Sequence, residues 1–226
     1  MGYILLTGKN KISLIKIHGV TKAHGLKDAL RQLTLNIGEN EFVIITGPSG
    51  AGKTTLLQLL YLEDSLFQGQ IIIDGMNLSK ISNSLIPHLR RKIGVISQKY
   101  KLIPTKTLFE NVALVLEVIG YNKRLRINRV NNILKIVGMD GKQNLYPETI
   151  SKGEQVQVAV ARAVVANPKI ILADEPTGNL DYESSNIIIN LLKRFHARGA
   201  TIVVATHDRE LINITGGRIF NLNPPP

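Results

Sequence analysis

The residues whose types and spacing could do chemistry begin between Thr46 and Thr55. Gly47-Pro48-Ser49-Gly50-Ala51-Gly52-Lys53-Thr54 matches G-x-x-x-x-G-K-[ST] at every position, with Thr55 next in line. Glycines at Gly47, Gly50 and Gly52 let the backbone take φ > 0 and come close to a polyphosphate, so that successive N–H groups and a helix start face the anion. In that arrangement Lys53 reaches the β- and γ-phosphates and Thr54 holds Mg²⁺. Such glycines alone would make only a tight turn. The apolar run Phe42-Val-Ile-Ile45 before them and Leu56-Leu-Gln-Leu-Leu60 after them supply the strand and helix that a phosphate loop needs.

A second set of reactive side chains sits at the ends of other apolar runs. Ile170-Ile-Leu-Ala173 ends in Asp174 and Glu175, two acids at the carboxyl edge of a strand, where ligands of open α/β sheets bind. Adjacent strand residues point to different sides, so Asp174 is read as a Mg²⁺ ligand and Glu175 as the group that polarises an attacking water. Gln98 follows Ile93-Gly-Val-Ile-Ser97 and could ligate Mg²⁺ or orient water. His207 follows Val203-Val-Ala-Thr206 in the same strand-end position, with a γ-phosphate as its expected partner. Ser151 and Glu154 have the spacing of a capping box, and Val156, Ala159, Val160, Ala163 and Val164 continue it as one helical face. The cap is a sufficient structural account of that stretch, yet a helix start is also an anion site, and both readings stand.

The elements that must position these groups follow from periodicity. Ile12 to Ile17, Thr34 to Ile37 and Phe42 to Ile45 are β-branched runs between Gly, Asn and Asp, expected to lie together in an antiparallel layer that Ile71-Ile-Ile-Asp-Gly75 extends. From Leu85 to Ala166 apolar residues recur at helical spacing, apart from Ile93 to Ile96, which predicts a mainly helical insert. After it come a strand over 169–173, a helix over about 182–198 stopped by Gly199, and a strand over 201–205. That order implies a buried parallel sheet. The expected class is α/β.

The chain has 226 residues, 44% of them hydrophobic, enough for a sizeable core. Its apolar runs are too short to span a bilayer; Glu117, for instance, interrupts Val112 to Ile119. Met1 to Leu6 lacks the features of a secretory or acylation signal and is read as mature chain. With no cysteine, disulfides, zinc–thiolate sites and thiol nucleophiles are excluded. The net charge of +11 favours an anionic surface, nucleic acid or the inner leaflet of a membrane. Only Arg90-Arg-Lys92 and Lys123-Arg-Leu-Arg126 cluster, and neither is interleaved with aromatics, so no specific nucleic acid is expected.

Taken together, the motifs resemble the ATP-binding subunits of ABC systems from about Leu14 to Leu222: the phosphate loop, Gln98 as the Q-loop glutamine, Ile150-Ser-Lys-Gly-Glu-Gln155 as the signature, the Asp174-Glu175 strand end with Asn179-Leu-Asp181 as the D-loop, and His207 as the switch histidine. Ala173-Asp-Glu-Pro-Thr-Gly-Asn-Leu-Asp181, Ala161-Arg-Ala-Val-Val165 and Leu89-Arg-Arg-Lys-Ile-Gly-Val-Ile96 look most like the FtsE cell-division ATPases. The lipoprotein-release and MacB-type ATPases share the first of these segments. The terminal proline run leads us to expect a disordered tail at 223–226. The resemblance implies the P-loop NTPase ABC ATPase fold: a β layer plus RecA-like core at about 12–84 and 167–222 and a helical subdomain at about 85–166. It implies hydrolysis of ATP with Mg²⁺, with Thr54, Gln98 and Asp174 at the metal, Glu175 as general base and His207 as γ-phosphate sensor. It further implies a homodimer in which Ser151, Lys152, Gly153 and Glu154 of one copy meet ATP held by the other, with Asp181 in the D-loop. An FtsX-like membrane partner would dock near the Q-loop, placing the chain peripherally at the cytoplasmic face of a membrane, or the stromal face in an organelle. Three positions depart from the pattern. Lys152 stands where a glycine is usual and predicts slow hydrolysis, Gln157 replaces a common arginine, and His24 aligns with the aromatic that stacks on adenine. An exporter subunit and a weakly hydrolysing, ATP-gated scaffold are the alternative readings.

Overall fold

The computed structural model describes residues 13–24, 27–65 and 67–223. The readings of Met1 to Leu6 as mature chain and of Pro224 to Pro226 as a disordered end lie outside the described residues, as does the side chain of His24. Two sheets organise the chain. The first is antiparallel, in the order β2-β1-β4-β5, with β1 (Ser13–His24), β2 (Lys27–Gly38), β4 (Gln68–Ile73) and β5 (Met76–Asn77). Ile15 lies opposite Ile73 and Ile17 opposite Ile71, and all four side chains are buried on one face. Alternate residues such as Lys16 and His18 are exposed, the pattern of a sheet with one wet side.

The second sheet is fully parallel, in the order β6-β7-β8-β3-β9, with β3 (Phe42–Thr46), β6 (Ile93–Ile96), β7 (Ile170–Asp174), β8 (Thr201–Ala205) and β9 (Arg218–Asn221). This corrects one expectation, because Phe42 to Ile45 joins not the antiparallel layer but the interior of the parallel sheet, between β8 and β9. The reason is that Val43, Ile44 and Ile45 are all fully buried, so β3 needs cover on both faces, which only the inner sheet offers. Ile93 to Ile96 is the strand at the other edge, paired with β7.

The two faces of the parallel sheet feed two separate cores. Val43, Ile45, Leu172 and Val203 pack with the antiparallel sheet and with α1 (Lys53–Leu60), whose Leu56, Leu59 and Leu60 are fully buried. Ile44, Ile171, Ala173, Ile202 and Val204 pack on the opposite side, where α3 (Leu108–Ile119), α4 (Lys123–Ile136), α5 (Lys152–Val164) and α6 (Tyr182–His196) lie. Each fully buried aliphatic side chain contributes about 1.5–3 kcal/mol. Local signals set the helix limits. Thr107 and Glu110 form a capping box for α3, which stops at Gly120 with φ 91°, and Asn122 Oδ1 accepts from Leu125 N at the start of α4. The short helices α2 (Ile86–Arg91) and α7 (Arg209–Thr215) flank the sheet ends. Among the described residues no helix is long and apolar enough to cross a membrane.

Candidate nucleotide site

The chain from β3 to α1 wraps into a loop that glycine alone can close at both ends. At Gly52 φ is 90° and an added Cβ would lie 2.2 Å from the Ala29 carbonyl oxygen; at Gly47 it would lie 2.2 Å from that of Leu222. Gly52 is also the N-cap of α1 and offers no side-chain acceptor, so no side chain of the cap takes up the first N–H groups of α1. Lys53 Nζ donates to the carbonyls of Gly47 (2.8 Å) and Pro48 (3.1 Å), which holds its ammonium over the loop. The loop forms one wall of a cleft of about 680 Å³, and Ala29, Gln98, Glu175 and His207 form the rest. Gly47 through Thr55 all line it, so the structure brings together the loop residues, Gln98, Glu175 and His207 around one cleft.

At the end of β7 the two acids do diverge. Asp174 Oδ1 accepts from Thr54 Oγ1 (3.1 Å). Burial raises the Asp174 carboxyl above its ordinary range, and the adjacent Glu175 charge adds to this, opposed by the Thr54 hydrogen bond and by Lys53. Asp174, Thr54 and Gln98 share a smaller cavity of about 170 Å³. Their donor atoms are oxygens, and among the described residues no cluster of three or more His, Cys, Asp or Glu side chains could hold an ion by itself. Such a sparse oxygen set fits Mg²⁺, which keeps waters and shares phosphate oxygens rather than filling a protein cage.

Glu175 turns the other way. It is nearly buried, and its backbone sits at φ 46°, a sparsely populated conformation for a residue with a side chain. Its N–H donates to the Ala205 carbonyl at the end of β8. Thr206 Oγ1 donates to Oε2 (2.9 Å), and His207 Nδ1 lies 2.7 Å from Oε1. An ionised carboxylate only accepts, so Nδ1 carries the proton in this pairing. The His207 side chain is 76% exposed against 11% for Glu175, so the imidazole reaches from the buried acid into the open cleft. Thr206 was missed as a functional residue in the sequence. Its available signal is a hydroxyl directly before the strand-end histidine, and it also accepts from Asp208 N (3.0 Å), while Thr177 Oγ1 donates to Asp208 Oδ2 (2.7 Å).

The start of α5 forms a separate region. Ser151 Oγ accepts from Glu154 N (3.2 Å), Glu154 Oε2 accepts from Ser151 N (2.8 Å), and Glu154 pairs with Lys142. The capping box is therefore real. Lys152 is exposed at the first helical position, whereas Gly153 is buried. Gln157 Nε2 donates to the Val137 carbonyl at the end of α4 (2.8 Å), a capping use for the residue found in place of arginine. Asp181 caps α6 by accepting from Ser184 N (2.8 Å) and Ser184 Oγ (3.1 Å). None of Ser151, Lys152, Gly153, Glu154 or Asp181 lines the cleft that holds Lys53.

One further contact joins α5 to the segment after Gln98. Arg162 of α5 donates to the carbonyls of Tyr100 and Lys101, two consecutive residues at φ 54° and 46°, and Lys101 pairs with Glu63 (3.0 Å) beyond α1. Beside it lies a groove of about 450 Å³ with apolar walls from Ile93, Val95, Val115 and Ile119 and with Arg90, Arg91 and Arg162 along it.

A parallel sheet with a phosphate loop after one strand and acids after another defines a P-loop ATPase domain. A family model described as ABC transporter matches residues 30–178. The chain is 44% identical over 210 residues to the cell division ATP-binding protein FtsE of Streptococcus pneumoniae, covering 92% of this chain and 91% of that protein. It is 42% identical over 209 residues to FtsE of Bacillus subtilis, with the same shares covered. A solved dimeric bacterial ABC transporter cassette superposes with a TM-score of 0.85 at 39% identity, over 92% of this chain and 94% of that one. A dimeric cassette in a post-hydrolysis state bound to ADP and phosphate superposes at 0.84 with 37% identity, over 94% and 97%. The chain belongs to the ABC transporter family and is an ABC ATPase of the FtsE type.

Proposed function

We propose that the chain is the Mg-ATP-hydrolysing subunit of an FtsE–FtsX-like complex in cell division, and that two copies close head to tail on ATP. The observation that carries the chemistry is the Glu175 carboxylate, buried and held by Thr206 and His207 at the edge of the Lys53 cleft. ATP places its phosphates over residues 47–55 and the open start of α1, and Lys53 moves from the loop carbonyls to the β- and γ-phosphates. Thr54 and Asp174, with Gln98, hold Mg²⁺, which when bound offsets phosphate charge. Glu175 accepts a hydrogen bond from the attacking water and polarises it. His207 shares its Nδ1 proton with Glu175 and offers its exposed edge to the γ-phosphate. Ser151, Lys152, Gly153 and Glu154 of the second copy, with its Asp181 turn, complete the site, so that closure requires ATP and hydrolysis reopens it.

The groove lined by Arg90, Arg91 and Val115 lies next to the segment after Gln98, which supports docking of the membrane partner there. Val118 (74% exposed) and Leu125 (54%) stand beside exposed Lys123 and Arg124 where α3 turns into α4. That mixture suits an anionic membrane surface and a peripheral position at the cytoplasmic face. The membrane protein recovered with a Glu175→Gln chain in ATP tests the assignment. A four-span permease with a large external loop supports it, and a lipoprotein-release type permease replaces it with the exporter reading.

A scaffold that binds ATP but hydrolyses it slowly is the second reading, motivated by Lys152. The side chain is exposed at the first position of α5 and leaves the helix start intact, so any effect acts on the second copy's phosphate rather than on folding. Lys152→Gly separates the two readings. A rise in turnover of about tenfold or more, some 1.4 kcal/mol, supports the scaffold, and a change within a fewfold supports the motor.

A further inference from the structure

Gly153 and Ser184 meet at the seam between α5 and α6. A Cβ on Gly153 would lie 2.6 Å from Ser184 Oγ and 2.9 Å from Ser184 Cβ. The hydroxyl could rotate away, but the Cβ is fixed to the α6 backbone and cannot yield unless the start of α6 moves. Gly153 does not have a positive φ, so its backbone conformation does not call for glycine; the space beside it does. Ser184 in turn donates through both N–H and Oγ to Asp181. Gly153, Ser184 and Asp181 thus form one chain of contacts from the start of α5 to the turn that opens α6.

The geometry points to Ser184 as a positioning residue that seats the Asp181 turn against the start of α5, so that both segments are presented to a second copy as one unit. The inference rests on the two-copy site proposed above. It gives Gly153 a requirement within its own chain, distinct from any close approach to phosphate. The two requirements differ in what a second substitution can repair. If Ser184 sets the limit, removing its side-chain atoms makes room for an alanine at 153. If the partner's phosphate sets it, nothing done at 184 helps.

The test is a double-substitution series read by ATP-dependent dimerisation in a Glu175→Gln background and by turnover in the otherwise native chain. Overpacking at a closed contact makes Gly153→Ala weaken dimerisation and lower kcat by about tenfold or more. The thermal midpoint falls modestly, as overpacking requires, while ATP affinity of the monomer stays close to native, which separates mispositioning from misfolding. Adding Ser184→Ala removes the hydroxyl conflict and with it the Oγ bond to Asp181, keeps the N–H bond to Asp181, and restores part of the loss. Adding Ser184→Gly removes both conflicts, and because the 184 N–H still caps onto Asp181 and keeps the turn seated, it restores most of the loss. Failure of both second substitutions to restore kcat or dimerisation overturns the role of Ser184. A Glu175→Gln chain that stays monomeric in ATP would instead refute the two-copy reading, and the kcat series would still decide on Ser184.

Discussion

The starts of α1 and α5 are both helix N-termini with a glycine in or next to the first turn, yet they are built in opposite ways. At α1 the cap is Gly52, which supplies no side-chain acceptor, and Lys53 folds back on the carbonyls of Gly47 and Pro48. At α5 the cap is Ser151, and Ser151 with Glu154 satisfies its own backbone donors in a closed box. An open start can give its N–H groups to a ligand at no cost to the helix. A boxed start already has a structural job, so its side chains serve a ligand only in addition to that job. The difference separates binding from stability: α1 should govern nucleotide affinity, and α5 should couple chemistry to folding.

Lys53→Ala attacks the open start directly. Loss of a charge-assisted contact to phosphate should weaken ATP binding by ~10- to 100-fold, measured by calorimetry, with little change in thermal midpoint. Ser151→Ala attacks the boxed start. It should lower unfolding free energy by about 1 kcal/mol in denaturant melts and reduce turnover as well, so that one substitution moves both readouts. A Ser151→Ala chain with native stability would erase the contrast between the helices.

Asp74 supplies a control far from either start. In the turn between β4 and β5 it pairs with Lys92 (2.5 Å) and Lys169 (3.1 Å), joining the antiparallel sheet to the residues preceding β6 and β7. Those lysines, Lys92 foremost, hold its carboxyl below the ordinary aspartate value of 3.8. A depressed folded-state pKa contributes stability that is present above the unfolded value and is lost as pH falls through the folded one. Asp74→Asn should therefore cost about 1 kcal/mol at neutral pH, for a pair still partly open to solvent. It should also flatten the loss of stability below pH 4 in acid melts, with ATP affinity unchanged.

The phosphate loop was legible in the sequence because its parts are contiguous, and a strand and a helix flank it closely. Asp174, Glu175 and His207 were legible because each ends an apolar run, and a parallel sheet brings such ends to one edge. The place of Phe42 to Ile45 was not, since it depends on partners far along the chain: Phe42 lies opposite Ile202, and Ile45 opposite Ala205 and Phe220. The same holds for Thr206 on Glu175, for Arg162 on Tyr100 and for Gly153 against Ser184. These contacts arise from the packing of elements that no local pattern pairs. Sequence could assign a capping box to Ser151 and Glu154, but only the structure shows that Lys152 points to solvent while Gly153 is enclosed.

The composite, two-copy site is the central claim, and sedimentation velocity of the purified Glu175→Gln chain with and without Mg-ATP tests it most directly. With Glu175 unable to polarise water, turnover should fall by ~10²-fold or more and the closed state should accumulate. The account predicts a monomer without nucleotide and a stable dimer with ATP, abolished by Lys53→Ala in the same chain. A Glu175→Gln chain that binds ATP yet sediments as a monomer at every protein concentration would contradict it.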